Sequence, residues 1–206
     1  RVTVAEGVVS TAEIANAQEL NPAITPDKFQ RIIKETYSAD IMFLIQQANL
    51  RAEQLKSEKM NALHNEINAA AEAPNKELTN INISSYASPD GGVKLNTTLA
   101  ENREKNTVDY MKKSLKKNKI EADMTAEFTA QDWEGFQELV SKSNIQDKEL
   151  ILNVLSMYSD PEQREREIKN MSSVFEVLAE EILPQLRYSR ITASANVIGK
   201  SDEEIS

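Results

Sequence analysis

The feature that most constrains the fold is an alternation of strand-like and helix-like segments along the 206-residue chain. Strand patterns at residues 41–45 and 78–86 flank residues 50–71, in which apolar side chains recur at helical spacing. A connection of this length favours parallel pairing of the two strands with a right-handed crossover. The apolar run 41–45 predicts a strand covered on both faces. The helix between the strands would bury Met60, Leu63, Ile67 and Ala70.

The same alternation continues to the end of the chain. Residues 96–117 predict a second long helix, and residues 122–128 alternate apolar and polar side chains as a strand with one buried face does. Helical patterns follow at 132–143, 147–157 and 160–183, and a last strand is predicted at 191–197. The second long helix would bury Val108, Met111 and Leu115. The order predicts an α/β sandwich in which helices outweigh the sheet.

The two ends of the chain are interpreted separately from this core. Residues 1–38 predict a lead-in with a short strand near Val2 and Val4 and a helix over 25–36, opened by Thr25 as N-cap and Pro26 at the first helical position. That helix would bury Phe29, Ile32 and Ile33. Residues 199–206 predict the start of a further helical region, because a serine precedes a glutamate there at capping-box spacing. We expect the native chain to continue, with any secretion signal or membrane anchor outside this sequence.

Composition excludes several classes of function. The chain has 24 basic and 33 acidic residues, a formal net charge of −9, which argues against broad binding of nucleic acid. The absence of cysteine excludes a thiol nucleophile and a cysteine-based metal site. No apolar run is long enough to span a membrane. One histidine and no catalytic motif indicate a protein that is not an enzyme and needs no cofactor or metal.

One segment, Ser85 to Arg103, resembles the OmpA-like peptidoglycan-associated domain. That family has a strand ending G-H-T-D, a turn containing glycine, an Asn, and then L-S-x-x-R-A on the following helix. Asn96, Leu99 and Arg103 stand at the matching spacing. Residues 41–51 look like the family's opening strand and the entry to its first helix. The resemblance covers about 39–128 and resumes in the closing strand.

Residues 130–185 look like a helical insertion found in a Bacteroidetes variant of this domain. The similarity lies in Asp132–Phe136, Ile145–Lys148, Asp160–Arg166, Leu183–Arg187 and the turn Ala87–Gly91. The resemblance implies an OmpA-like two-layer sandwich over 39–198. Its small mixed β-sheet would carry helices packed on it, with extra helices inserted before the last strand.

The resemblance also implies a ligand site. In the family, an Asp of the turn and the Arg of the helix grip the zwitterionic end of diaminopimelate in the peptidoglycan stem peptide. Arg103 would hold the carboxylate through its guanidinium fork. Ser88 stands where the family has its Asp, and a serine cannot neutralise an ammonium group. Asp90, two residues further on, could take over that role. The candidate ligand-binding residues are Ser88, Asp90, Asn96, Leu99, Ala100 and Arg103.

A plainer interpretation of the same residues stays open, in which Arg103 forms an ordinary ion pair with Asp90 or Glu127. Two functions correspond to the two interpretations. The first is a non-catalytic periplasmic module that binds peptidoglycan and tethers a larger protein to the cell wall. The second is an OmpA-like domain that has lost wall binding and acts as a scaffold or interaction module of an outer-membrane or surface-assembly protein. A pocket in which Asp90 turns toward Arg103 favours the first, and an empty, uncharged groove beside Arg103 favours the second.

Overall fold

The structure, a computed structural model that describes residues 32–199, contains one four-stranded mixed β-sheet. The strands are β1 Ile32–Met42, β2 Lys76–Tyr86, β3 Met124–Thr129 and β4 Tyr188–Ile198. Their order across the sheet is β1-β4-β2-β3. Strand β4 is antiparallel to β1 and β2, and β3 is parallel to β2.

Seven α-helices lie within these described residues. They are α1 Ala52–Leu55, α2 Glu58–Glu72, α3 Val93–Asn118, α4 Trp133–Lys142, α5 Lys148–Met157, α6 Pro161–Asn170 and α7 Ser172–Glu181. A short 3-10 helix, Leu183–Leu186, leads from α7 into β4. Helices α4 to α7 form the four-helix segment, which connects β3 to β4. The predicted fold class, an α/β sandwich with a small mixed sheet and extra helices before the last strand, is confirmed.

Helices α2 and α3 pack on the same face of the sheet, because both contribute to one hydrophobic core with the strands. The predicted stripe of α2 is confirmed as buried, and of the predicted stripe of α3 Met111 and Leu115 are buried while Val108 is only half-buried. The core contains Met60, Leu63, Ile67, Met111 and Leu115 from the helices, and Ala39, Ile41, Ile81, Ile83, Ile191 and Ala193 from the strands.

The pairing of the first two strands was predicted wrongly. Strands β1 and β2 do run in the same direction, since each is antiparallel to β4, but β4 lies between them. Strand β4 pairs with β1 over its whole length, from Ile32 opposite Ile198 to Met42 opposite Tyr188. Its small buried side chains at alternate positions suit a central strand.

This long pairing also corrects the prediction of a helix over 25–36. Residues 32–36 belong to β1, and Ile32 and Ile33 are 62% and 52% exposed rather than buried. The ladder of hydrogen bonds to β4 outweighs the weak helical spacing there. The rest of that predicted helix, with Phe29, lies outside the described residues, as do the predicted strand near Val2 and the segment 200–206.

The apolar run 41–45 is not a strand covered on both faces. Strand β1 ends at Met42, and Leu44 and Ile45 are exposed in the loop that follows. Gln46 in this loop has a φ of 55°, a left-handed conformation that is uncommon for a residue with a side chain. Strand β3 is also more exposed than predicted, with Phe128 41% exposed, because it is an edge strand.

Two predicted long helices are each divided in the structure. The helix predicted over 50–71 breaks before α2, where the Ser57 side chain accepts a hydrogen bond from the Met60 N–H and starts a new helix. The helix predicted over 160–183 is interrupted at Met171, whose ψ of 69° is not helical. Its predicted start is confirmed, since Asp160 caps α6 by accepting from the Gln163 N–H at 2.8 Å.

The four-helix segment has a hydrophobic core of its own. Its buried residues include Phe136, Val140, Ile151, Leu155 and Leu178, and Trp133 packs edge-on against Phe136. Asp132 caps α4 by accepting from the Gly135 N–H at 2.9 Å. A Cβ on Gly135 would lie 2.3 Å from the Asp132 carboxylate, so glycine is required for this close approach. Within residues 32–199, no helix combines the length and apolar character that a membrane span requires.

Candidate functional site

The candidate site lies at the turn between β2 and α3, and Asn96 gives this turn its shape. The Asn96 amide is buried and donates to the backbone carbonyls of Ser88 at 2.9 Å and Gly91 at 2.8 Å. The Gly91 carbonyl also accepts from the Gln131 side chain at 2.7 Å. The turn is therefore fixed both by α3 and by the link that enters the four-helix segment. The buried Asn96 side chain thus holds the backbone of the turn in place.

Arg103 lies on α3 beneath the turn and is completely buried. Its guanidinium donates to three backbone carbonyls: Nε to Gln47 at 2.9 Å, Nη1 to Tyr86 at 2.7 Å and Nη2 to Leu44 at 3.3 Å. It also lies 4.9 Å above the ring of Phe43. Arg103 thus joins the loop after β1 to the end of β2.

The predicted ion pair of Arg103 with Asp90 or Glu127 is absent from the salt bridges of the described residues. The Glu127 carboxylate instead accepts from the Ser84 hydroxyl at 2.7 Å. Asp90 accepts hydrogen bonds from Ser88 and from Arg187. Ser88 and Asp90, which the sequence placed together at the site, are indeed in contact.

Arg187 is a site residue that the sequence reasoning missed. It follows the 3-10 helix, and its Nη2 lies 3.2 Å from Oδ2 of Asp90 while its Nε lies 3.2 Å from the Ser88 hydroxyl. In the sequence it is the last residue of Leu183–Arg187, one of the segments that resemble the Bacteroidetes variant. Nothing in that segment marks Arg187 as a site residue.

Two guanidinium groups and one carboxylate therefore surround the turn. Burial, and after it the charge of Arg187, lowers the pKa of Arg103 to about 10, and the nearby Asp90 carboxylate opposes this shift. Arg103 remains charged at neutral pH. A buried cation whose hydrogen bonds go only to neutral carbonyls is a favourable place for an anion.

A small pocket of about 30 Å³ opens beside these groups. This volume is enough for a water molecule or for the end of a larger ligand. Arg103, Asp90 and Ser88 form its polar side, and Ile45 and Leu95 form an exposed apolar rim. The complete lining is Ile45, Gln46, Ser88, Asp90, Gly91, Leu95, Asn96, Leu99 and Arg103. Of the predicted site residues, Ala100 alone does not belong to this lining.

Comparison with solved structures finds a similar domain in a bacterial protein. The chain resembles the OmpA-like domain of FopA1 from Francisella tularensis subsp. tularensis SCHU S4, with 15% sequence identity, 89% of this chain and 90% of that chain covered, and a TM-score of 0.39. No family model matches the sequence, and no curated protein matches it either. The fold class follows from the strand order and register of this chain.

Proposed function

We propose that this chain is a non-catalytic OmpA-like domain of the cell envelope that binds the diaminopimelate of the peptidoglycan stem peptide. In this way it would tether a larger protein to the cell wall. The observation that carries the proposal is the charged pocket, whose lining includes both Arg103 and Asp90. An uncharged groove beside Arg103 would have favoured the second function, a scaffold without wall binding.

Arg103 supplies the group that would bind the ligand carboxylate. A guanidinium has five N–H groups, and the three nitrogens of Arg103 each donate once to the described residues, so two N–H groups remain for a ligand. A carboxylate accepting both would neutralise a buried cation. Asp90 and Ser88 line the same pocket, and Ser88 stands where the family has its Asp. Because Arg103 has no exposed surface, the pocket would have to open further for a ligand carboxylate to reach it.

This proposal places the domain in the periplasm. It would be associated with the outer membrane through other parts of the chain, and other envelope proteins would be its neighbours. Recognition of a ligand carboxylate by a guanidinium requires no chemical step. No covalent step, cofactor or metal is part of the proposal.

Co-sedimentation with purified diaminopimelate-type sacculi tests it. The informative variant is Leu95→Glu, which puts a negative charge on the pocket rim at an exposed position and should repel an incoming carboxylate. The matched control is Leu150→Glu. Leu95 and Leu150 are each the third residue of their helix, α3 and α5, and are 52% and 51% exposed.

We expect the parent and Leu150→Glu to pellet with sacculi and Leu95→Glu to remain mostly in the supernatant. Free meso-diaminopimelate should release the parent from the pellet. A parent protein that stays in solution, or a Leu95→Glu variant that pellets as the parent does, contradicts the proposal.

One observation favours the second candidate function, an OmpA-like scaffold without wall binding. Arg103 has no exposed surface, and each of its nitrogens already has a carbonyl partner. A residue held in this way ties three backbone segments together whether or not a ligand binds. The scaffold interpretation predicts that neither the parent nor any of the variants pellets with sacculi.

A further inference from the structure

Arg187 is a charged residue that contacts Asp90 at the turn and has no role in the proposed binding of diaminopimelate. We propose that Arg187 is a specificity-determining residue that makes the pocket select carboxylate groups over ammonium groups. This inference rests on the proposed function and specifies which part of the wall peptide the site recognises.

Arg187 occupies the carboxylate that a ligand ammonium would need. Its Nη2 lies 3.2 Å from Oδ2 of Asp90, and Oδ1 of the same carboxylate accepts from the Ser88 hydroxyl. Both carboxylate oxygens therefore have partners within the protein. Arg187 and Asp90 are almost enclosed, so water and salt screen their attraction only weakly. An ammonium group would have to compete with a guanidinium that is already in place.

The backbone of Arg187 holds this guanidinium in position. The Arg187 carbonyl accepts from the Phe43 N–H at 2.7 Å, and the Arg187 N–H donates to the Pro184 carbonyl at 3.4 Å. Its Nε also donates to the Ser88 hydroxyl at 3.2 Å. Because Arg187 is fixed between the loop after β1, the 3-10 helix and the turn, Asp90 cannot rotate toward a ligand without losing the ion pair.

The charges around the pocket then determine its preference. Arg103 and Arg187 each carry one positive charge and Asp90 carries one negative charge, which leaves one positive charge in excess. The two remaining N–H groups of Arg103 suit a carboxylate. The site is therefore expected to bind the carboxylate end of the wall peptide and to gain little from the neighbouring ammonium group.

Three small probes separate the two contributions. meso-Diaminopimelate carries two carboxylates and two ammonium groups, pimelate carries only the carboxylates, and 1,5-diaminopentane carries only the ammonium groups. Titration calorimetry of the full chain should show pimelate binding at least as tightly as meso-diaminopimelate, with no heat from 1,5-diaminopentane. A parent protein that binds meso-diaminopimelate more tightly than pimelate overturns the inference.

Substitution of Arg187 should reverse the preference. Arg187→Gln removes the excess charge and frees Asp90, so meso-diaminopimelate should bind about tenfold more tightly than pimelate, a ratio that corresponds to roughly 1.4 kcal/mol. Arg187→Lys keeps the charge and should keep the parent's preference. Arg166→Gln, at an exposed position of α6, is the control. A purely structural role of Arg187 would weaken all probes together and leave their ratio unchanged, and that result would overturn the inference.

The sacculus experiment separates the inference from the function on which it rests. Sacculus binding by a parent that binds meso-diaminopimelate more tightly than pimelate supports the proposed function and rejects the role of Arg187. Pimelate selectivity without sacculus binding rejects the proposed function and supports Arg187 as the source of the selectivity. Thermal unfolding of each variant confirms that the compared proteins are folded.

Discussion

The sheet sandwich and the four-helix segment bury their apolar surface in different ways. The sandwich core combines residues from strands and helices far apart in the chain, whereas the core of the four-helix segment comes from a single stretch between Phe136 and Leu186. Nine polar or charged side chains are buried among the described residues, and each lies outside helices α4 to α7. They are Ser84, Ser85, Ser88, Asn96, Arg103, Thr107, Asp132, Arg187 and Ser189. The four-helix segment is thus an apolar unit placed beside a sandwich with a polar end.

The two regions meet at that polar end. The Asp132 N–H donates to the Ala87 carbonyl at 3.2 Å where the segment begins, and Arg187 contacts Asp90 just after the segment ends. The candidate site therefore lies where the two regions join. This placement lets residues flanking the four-helix segment change the chemistry of a turn that belongs to the sandwich.

Replacing Arg103 should destabilise the sandwich strongly, because three backbone segments depend on this one side chain. Arg103→Met leaves the carbonyls of Leu44, Gln47 and Tyr86 without their donor, and an unsatisfied buried polar group costs about 1–3 kcal/mol. We expect a loss of about 4 kcal/mol in the free energy of unfolding, measured with urea. Arg166→Met, on the surface of α6, should change it by less than about 0.5 kcal/mol. A loss below about 1 kcal/mol for Arg103→Met would show that water replaces the guanidinium.

The local parts of both regions could be predicted from the sequence. The buried stripes of α2 and α3 follow from helical spacing, and the start of α6 follows from an N-cap with proline behind it. The order of the strands could not be predicted, because the insertion of β4 between β1 and β2 depends on contacts between distant parts of the chain. The same long-range pairing converts residues 32–36 from the predicted helix to a strand.

The candidate site was predictable in its residue types but not in its contacts. The resemblance singled out Ser88, Asp90, Asn96 and Arg103, and in the structure these four residues line one pocket. The partners of Arg103 are backbone carbonyls, which every residue possesses, so no side-chain pattern could reveal them. The contact between Asp90 and Arg187 joins residues 97 positions apart.

A pair of core truncations tests whether the two cores are independent. Leu178 in the four-helix segment and Ile83 in the sheet are both completely buried, and truncating either to alanine should cost about 3 kcal/mol. Amide hydrogen exchange should differ between the two variants. Leu178→Ala should speed exchange mainly in α4 to α7, whereas Ile83→Ala should speed it in both regions, because the sheet anchors both ends of the segment. Equal acceleration everywhere in Leu178→Ala would show one cooperative core.

The smallest effect concerns Asp132, which caps α4 at the border between the two regions. Burial raises the pKa of this carboxyl above its ordinary value of 3.8, and the hydrogen bond from Gly135 opposes the shift. Between the unfolded and folded pKa values the folded protein binds more protons, so the free energy of unfolding falls as the pH rises through this window. Asp132→Asn keeps an N-cap acceptor and removes the charge, so it should gain stability relative to the parent as the pH rises from about 4 to 7. Urea unfolding at several pH values measures this difference.

Asp160→Asn, at an exposed N-cap with a similar hydrogen bond, controls for the loss of a negative charge at a helix N-terminus. A stability difference between Asp132→Asn and the parent that does not grow with pH would mean that the border is open to water and that the two regions are less tightly joined than the buried contacts indicate.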